Sequence, residues 1–358
     1  MNSVLLSILF ASATVQAAPD APGEYAVGMS RLDLRDASRD NRRLTSDVWY
    51  PVARASGDTS TGTKRDAPCA EGAFPLVIFS HGAGATRQQS MYLTEHWASH
   101  GYVVVAPDHQ FNTVFDNAGG LGGIQSGIDR PHDCSFVIDR MLERNGNAAD
   151  RLYQHIDPQR IGATGHSFGG YTVMVLAGAT VDAQEARKMF GKELEQGDFS
   201  HPDPRVRAVI AYAPVGPPLL SPKSLAEIKI PVMVFAGTHD LILPLEKHQL
   251  PLFESLGGPA FLATIEGGSH FCFNNAAFTS LARLVRTDKM LEEHVDRAVA
   301  DVIVKSLSLA FLNRYVAGDE SQAAPTSESA GVPSGQPPVL SLRTRNVETP
   351  AASRVSGQ

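Results

Sequence analysis

One stretch constrains this chain more than any other: residues 160–170, which read RIGATGHSFGG. An apolar run ends in the letters GHSFG, and helix-forming residues follow directly. The pattern G-x-S-x-G between a strand and a helix is typical of a sharp turn that exposes a serine hydroxyl. A side chain at Gly165 or Gly169 would collide where the strand reverses into the helix, so the turn holds Ser167 in a strained conformation. We therefore predict that Ser167 is a nucleophile.

The surrounding chain alternates continuous apolar runs with helical segments, which is typical of a mainly parallel sheet buried on both faces. Six such runs predict inner strands, at residues 75–80, 102–107, 160–164, 206–213, 231–236 and 260–265. Two earlier segments, at residues 25–34 and 44–51, predict an antiparallel pair at one edge. The sequence thus predicts the α/β class, with a mainly parallel eight-stranded sheet flanked by helices.

Composition and the two ends of the chain predict its domain organisation. The 358 residues are 43% hydrophobic, which is enough for a single large core. Residues 1–17 have an apolar centre and end in the small-residue pattern Val-Gln-Ala, and they predict a signal peptide although a basic start is missing. Residues 317–358 are rich in Ser, Pro, Ala, Gly and Thr, which predicts a disordered tail. We expect one catalytic domain over residues 18–316 and an exported protein, periplasmic or secreted, with a cytoplasmic protein as the alternative.

Several classes of partner are not expected. The formal net charge of −7 comes without any Lys/Arg-rich run, so a nucleic-acid surface is not expected. We see no segment of about 20 apolar residues, so stable membrane insertion is not expected either. Walker and dinucleotide glycine patterns are missing from any strand-to-helix context, and no cofactor is expected. The sequence gives no indication of the oligomeric state.

Histidine and cysteine side chains raise the question of metal sites and disulfides. His96 and His100 have metal-like spacing on a predicted helix, but no third ligand is evident and we expect no metal. Cys69, Cys134 and Cys272 allow one disulfide from three pairings and leave one thiol over. For Cys272 the favoured interpretation is a buried apolar thiol.

A serine nucleophile needs a base and a group that orients the base. Asp240 follows the fifth inner strand and His270 follows the sixth. Parallel strands deliver such residues to one edge of the sheet, and the chain order Ser, acid, His fits an esterase-type triad. We predict that His270 takes the proton from Ser167 and that Asp240 fixes the imidazole. His239, beside Asp240, and Glu266, as a replacement acid, are the rivals.

Hydrolysis of an ester also needs donors for the oxyanion, each worth about 3 kcal/mol in the transition state. One predicted donor is the backbone N–H of Phe168, directly after the nucleophile. The other lies in the loop after the first inner strand, which reads SHGAGA, and we predict the N–H of Ala83. For His81 we expect a hydrogen bond that holds this loop, and for His109, His132 and Asp133 structural or solvent roles.

Three segments resemble a known family: FSHGAG at residues 79–84, GHSFGG at 165–170 and GSH at 268–270. They are similar to the platelet-activating-factor acetylhydrolase and dienelactone-hydrolase-like branch of the α/β-hydrolases, over about residues 25–315. The resemblance implies the α/β-hydrolase fold and a metal-free serine esterase for short or modified acyl esters, with Ala83 and Phe168 as oxyanion donors. Dienelactone hydrolases use a cysteine nucleophile where this chain has Ser167, so the lactone substrate does not carry over.

Two alternatives remain open at this point. A lipase or polyester hydrolase would use the same residues, with the glycine-rich segment 118–123 as a mobile rim and the polar insertion 182–205 as part of a lid. The insertion is equally well explained as a solvated loop. A catalytically silent α/β-hydrolase that acts as a binding module is the alternative of a different class.

Overall fold

The computed structural model describes residues 20–57, 62–116, 123–190, 199–275, 292, 294–322, 324–326 and 339–347. The predicted signal peptide, all but the last residue of the glycine-rich segment, and residues 191–198 of the predicted lid lie outside the described residues.

In the described part of the chain, ten strands form one sheet. Their bounds are β1 Ala26–Asp36, β2 Arg42–Val52, β3 Lys64–Arg65, β4 Phe74–Ser80, β5 Val103–Pro107, β6 Ile156–His166, β7 Val206–Tyr212, β8 Val232–Gly237, β9 Ala260–Ile265 and β10 Leu340–Arg345. Their order across the sheet is β10-β9-β8-β7-β6-β4-β5-β2-β1-β3. Strands β4 to β9 are parallel to one another, whereas β1, β2 and β10 pair antiparallel to their neighbours β2, β5 and β9.

The predicted six inner strands and the antiparallel edge pair are all present. The sheet has two strands more than the predicted eight. One is the short β3, and the other is β10, which lies in the segment predicted to be a disordered tail. The expectation of disorder is therefore wrong for residues 340–345. These residues pair with β9 over its whole length, and the alternating Leu340 and Leu342 lie half-buried against the core.

The helices cover both faces of the sheet. They are α1 Met91–Ser99, α2 Gly123–Asn145, α3 Phe168–Leu176, α4 Ala183–Phe190, α5 Pro222–Glu227, α6 Gln249–Ser255 and α7 Arg297–Leu312, which continues into a π-helical turn at Asn313–Ala317. Helices α2, α3, α5 and α6 pack on one face, and α1 and α7 pack on the other. Alternate residues of β4 enter the two cores, Leu76 and Ile78 on one side and Val77 and Phe79 on the other. This two-sided burial explains the unbroken apolar runs in the sequence.

The sequence left a disulfide open, and in the structure none of the three cysteines forms one. Cys134 and Cys272 are fully buried, and Cys69 is half-buried. The interpretation of Cys272 as a buried apolar thiol is therefore confirmed. The part of the insertion that the structure describes begins with α4.

Candidate active site

The turn between β6 and α3 has the strained geometry that its glycines predict. Ser167 has φ 56° and ψ −115°, in the region where side chains other than glycine are rare. A Cβ atom at Gly169 would lie 1.9 Å from the Ser80 carbonyl oxygen, and one at Gly165 would lie 2.3 Å from the Gly169 carbonyl oxygen. The Ser167 N–H donates to the carbonyl of Tyr212 in β7 at 2.8 Å, which fixes the turn at the edge of the sheet.

Asp240 and His270 are hydrogen-bonded to each other at the same edge. The distance from His270 Nδ1 to Asp240 Oδ2 is 2.7 Å, and both side chains are buried. Asp240 Oδ1 accepts the backbone N–H groups of Ile242 and Leu243 at 2.9 and 2.8 Å. Because the carboxylate takes the Nδ1–H of the imidazole, the lone pair of Nε2 is left to accept a proton.

Close backbone packing brings the loops after β8 and β9 together. A Cβ atom at Gly237 would lie 2.0 Å from the Gly268 carbonyl oxygen, so only glycine fits there. The His239 N–H donates to the same carbonyl at 2.9 Å. Glu266, the rival acid, is exposed and accepts a hydrogen bond from the Thr238 hydroxyl at 3.1 Å. Of the two carboxylates, the one that contacts His270 is therefore that of Asp240.

A buried glutamine and a histidine join the serine turn to the loops around it. His166 Nε2 donates to the His270 carbonyl at 2.8 Å, and its Nδ1 accepts from Gln89 Nε2 at 2.5 Å. Gln89 Oε1 in turn accepts the N–H of Gly82 at 2.6 Å. This chain of contacts connects three separate loops. Gln89 was missed in the sequence, because nothing in its spacing marks it as different from its neighbour Gln88.

The contacts of His166 place the neighbouring Ser167 close to the loop that contains His270. Its neighbour His166 packs against the His270 ring, with ring centroids 4.9 Å apart. Within the described residues, the Ser167 hydroxyl makes no hydrogen bond to His270. Such bonds are often long before substrate binds and tighten in the complex.

The loop after β4 is held by His81, as expected. His81 Nε2 accepts the His109 N–H at 3.1 Å, so the ring proton is on Nδ1, which donates to the Gly82 carbonyl at 2.7 Å. Complete burial lowers the pKa of His81 well below its usual range, and the ring is neutral.

The two predicted oxyanion donors are unpaired backbone N–H groups. The N–H groups of Gly82, Gly84 and Ala85 each have an acceptor. In the described part of the chain, the N–H of Ala83 between them has none, and nor does that of Phe168 at the start of α3. The first N–H groups of a helix have no partner within it, which leaves Phe168 free to bind a negative oxygen.

A second Ser–His–Asp chain lies behind this loop. His109 Nε2 is 2.9 Å from the Ser80 hydroxyl, and its Nδ1 is 3.0 Å from Asp133 Oδ2. All three side chains are 0% exposed, and Asp133 also pairs with Arg42 at 2.7 Å. Burial lowers the pKa of His109 to about 3. Substrate cannot reach these three buried side chains, so their hydrogen bonds fix the end of β4. The structural role expected for His109 and Asp133 is confirmed.

The other histidines singled out in the sequence lie in pairs of tilted rings. The rings of His96 and His100 lie 4.4 Å apart at the end of α1, and those of His132 and His201 lie 3.8 Å apart. Among the described residues, no group of three or more His, Cys, Asp or Glu side chains is arranged to hold a metal ion. No helix within the described ranges is long and apolar enough to cross a membrane.

Comparison with known proteins places this architecture. The solved structure of a ferulic acid esterase from Streptomyces cinnamoneus superposes with a TM-score of 0.60 at 22% identity, covering 89% of this chain and 97% of the esterase. This chain has the α/β-hydrolase fold. The predicted resemblance is also confirmed, because the platelet-activating factor acetylhydrolase of Cavia porcellus is 24% identical to this chain over 300 residues. That match covers 74% of the chain and 63% of the acetylhydrolase.

Two family models match parts of this chain. The chlorophyllase model matches residues 65–238, and the PET hydrolase-like model matches residues 195–321. Cutinase est2 of Thermobifida alba is 27% identical over 203 residues, which are 56% of this chain and 54% of the cutinase. The chain therefore spans about half the length of this curated relative.

Proposed function

We propose that this α/β-hydrolase is a serine carboxylic ester hydrolase that acts on short or modified acyl esters through an acyl-enzyme. The observation that carries the proposal is the buried Asp240–His270 pair at the sheet edge where the strained turn presents Ser167. The names of the matched relatives, a cutinase, an acetylhydrolase and a ferulic acid esterase, agree with ester hydrolysis.

In the proposed mechanism, Ser167 Oγ attacks the ester carbonyl while His270 Nε2 accepts the hydroxyl proton. The carbonyl oxygen becomes an anion and is bound by the N–H groups of Ala83 and Phe168. As the C–O bond breaks, His270 returns its proton to the departing alcohol, which leaves an acyl-Ser167 ester. Water then attacks this ester by the same route and releases the acid. Asp240 stabilises the charged imidazole in both halves of the cycle.

The test is hydrolysis of a p-nitrophenyl ester series from acetyl to palmitoyl by the wild-type chain and the Ser167→Ala variant. We expect activity on the short esters, and a loss on the order of a million-fold in kcat for the variant. Ser255→Ala, on α6 and outside the proposed machinery, is the matched control and should keep wild-type kcat. Near-normal turnover by Ser167→Ala would refute the assignment.

An apolar rim favours a second candidate, a lipase or polyester hydrolase. We define this rim as the four exposed side chains Phe111, Val114, Phe115 and Leu241, which are 60%, 45%, 79% and 50% exposed. They follow β5 and β8 at the carboxyl edge of the sheet. The PET hydrolase-like match is consistent with this candidate.

The rim also gives this candidate its own test. The double variant Phe111→Ser with Phe115→Ser should hydrolyse a polyester film or emulsion several-fold more slowly but a soluble acetyl ester at the wild-type rate. Tyr153→Ser, an exposed aromatic just before β6 at the opposite edge of the sheet, is the control. Equal rates of wild-type and double variant on the film would count against the polyester candidate.

Labelling with a fluorophosphonate separates both esterases from a silent binding module. A working triad becomes phosphonylated at Ser167 even when the right substrate is missing from the assay. We expect one label per chain, which mass spectrometry of the labelled peptide would map to Ser167. Lack of label in folded protein would favour the binding module.

We also propose that the chain is exported, on the pattern of residues 1–17. After expression of the full chain in a bacterium, N-terminal sequencing of the mature protein should begin at Ala18. An intact Met1 on active cytoplasmic protein would support the alternative.

A further inference from the structure

A fully buried arginine in α2 touches both segments that carry the proposed oxyanion donors. Arg130 is 0% exposed. Its Nη2 donates to the carbonyl of His81 at 2.6 Å and lies 3.4 Å from the carbonyl oxygen of Gly82. On the other side, its guanidinium carbon lies 4.6 Å from the centroid of the Phe168 ring. A single side chain therefore bridges the loop after β4 and the first residue of α3.

The charge of Arg130 has no ordinary structural explanation. In the described part of the chain, its Nε and Nη1 atoms have no hydrogen-bond acceptor, and no carboxylate lies within ion-pair distance. Asp133, one turn along the helix, is already paired with Arg42 at 2.7 Å and Arg39 at 2.8 Å. A buried cation without a counter-ion is expensive, and a buried apolar residue would fill the same space at lower cost. Arg130 must therefore be retained for something other than stability.

Arg130 is a cation at neutral pH. Burial lowers its pKa to about 9, which leaves the guanidinium protonated at neutral pH. Its fixed positive charge thus lies against the two segments whose N–H groups are proposed to bind the developing negative charge.

We propose that Arg130 is the positioning residue of the oxyanion hole, orienting Ala83 and Phe168 and stabilising the charge that they bind. The proposal rests on the ester hydrolysis proposed above. The Gly82 carbonyl and the Ala83 N–H are the two ends of one peptide group, so a donor at the carbonyl polarises that group and strengthens its N–H as a donor. The cation over the Phe168 ring holds in place the residue that supplies the second N–H.

This arrangement predicts where the effect on kinetics falls. An ester substrate is neutral, and full negative charge on its oxygen develops only in the transition state. An interaction with that charge lowers the barrier without tightening substrate binding, so its loss reduces kcat and leaves KM unchanged. A merely structural arginine would instead reduce the fraction of folded, titratable enzyme.

The experiment compares Arg130→Met, which keeps an unbranched apolar stem but removes the charge, with Arg130→Lys, which keeps a charge. Arg205→Met is the matched control, because Arg205 is a paired arginine away from the site, bonded to Asp203 and Asp139. Fluorophosphonate titration first gives the concentration of active sites in each preparation. The kcat and KM values per site are then measured on the best p-nitrophenyl ester, together with Ki for a trifluoromethyl ketone. That ketone adds Ser167 Oγ to its carbonyl and so carries an oxyanion.

We expect Arg130→Met to lose about 100-fold in kcat per site, the size of the loss of one oxyanion donor, with KM within about threefold. The Ki of the ketone should rise by the same factor as kcat/KM falls. Arg130→Lys should recover part of both losses, and Arg205→Met should show neither.

Wild-type kcat per site in Arg130→Met would overturn the inference. A raised KM together with an unchanged Ki for the ketone would overturn it as well. If Arg130→Met fails to fold, a Lys variant with both kcat and ketone affinity at wild-type level would contradict the proposed geometry. A wild-type chain that neither hydrolyses esters nor takes the phosphonate would refute the proposed function instead.

Discussion

At the scale of single residues, the two oxygens of Asp240 have separate partners. Oδ2 accepts from His270, whereas Oδ1 accepts two backbone N–H groups and holds the loop after β8. Asp240→Asn should preserve the loop through its carbonyl oxygen but place a neutral amide against the imidazole. We expect kcat to fall about 10⁴-fold with little change in the far-ultraviolet circular dichroism spectrum.

The control for this prediction is Glu266→Gln, which changes the rival acid at an exposed position. It should leave kcat within about twofold, because its carboxylate contacts Thr238 and not His270. A loss for Glu266→Gln as large as for Asp240→Asn would reverse the assignment of the acid.

Some residues of the candidate site could be predicted from the sequence and others could not. Ser167 has a local motif, and His270 and Asp240 have positions after consecutive strands, so each has a signal within a few residues. Gln89 and Arg130 have no such signal. Gln89 bonds to the His166 ring, 77 residues away, and Arg130 bonds to the His81 carbonyl, 49 residues away. No local sequence pattern marks either contact. Only the fold reveals such partners.

At the scale of elements, strands buried on both faces were the most predictable. β9 has the bounds expected from its apolar run, β4 begins one residue earlier than predicted, and β8 begins and ends one residue later. β10 was missed because its sequence, LSLRTR, is short, half-exposed and set among Ser- and Pro-rich segments. The alternation of Leu340 and Leu342 with polar residues was the one available signal, and composition outweighed it.

Strand β10 also protects the edge of the sheet next to the loop that contains His270. It pairs with every residue of β9, and the Glu266 N–H donates to the Val339 carbonyl at 2.8 Å. Deleting residues 339–358 should therefore destabilise the protein by about 2 kcal/mol, lower Tm by several degrees and promote aggregation through the open edge. Deleting only residues 348–358 leaves the strand intact and is the control. Equal Tm values for the two truncations, measured by calorimetry, would show that the strand contributes nothing.

At the scale of the whole molecule, buried neutral histidines behind the loop after β4 couple folding to pH. Burial lowers the pKa of His109 to about 3, from about 6.5 in an unfolded chain. Between these values the unfolded chain binds a proton that the folded chain does not, so acid favours unfolding. For His109 alone the loss from pH 6.5 to pH 5 is about 2 kcal/mol. His81 acts in the same direction. Asp133, whose pKa is also lowered, adds its own loss only once the pH approaches 3.8 and below.

Removing one of these histidines should therefore flatten the acid side of the stability profile. In His109→Gln, the amide can still bond to Ser80 and Asp133 but cannot take up a proton, so unfolding no longer gains from its protonation. We expect this variant to be less stable than wild type at pH 7.5, and to lose about 1.4 kcal/mol less per pH unit between pH 6 and 4.5. Urea unfolding at several pH values measures both quantities. His155→Gln, at a half-buried position where the imidazole bonds to the Gly72 carbonyl at 3.0 Å, should keep the wild-type slope. The same slope in His109→Gln and wild type would mean that His109 does not set the acid sensitivity, and that the proton is taken up elsewhere in the fold.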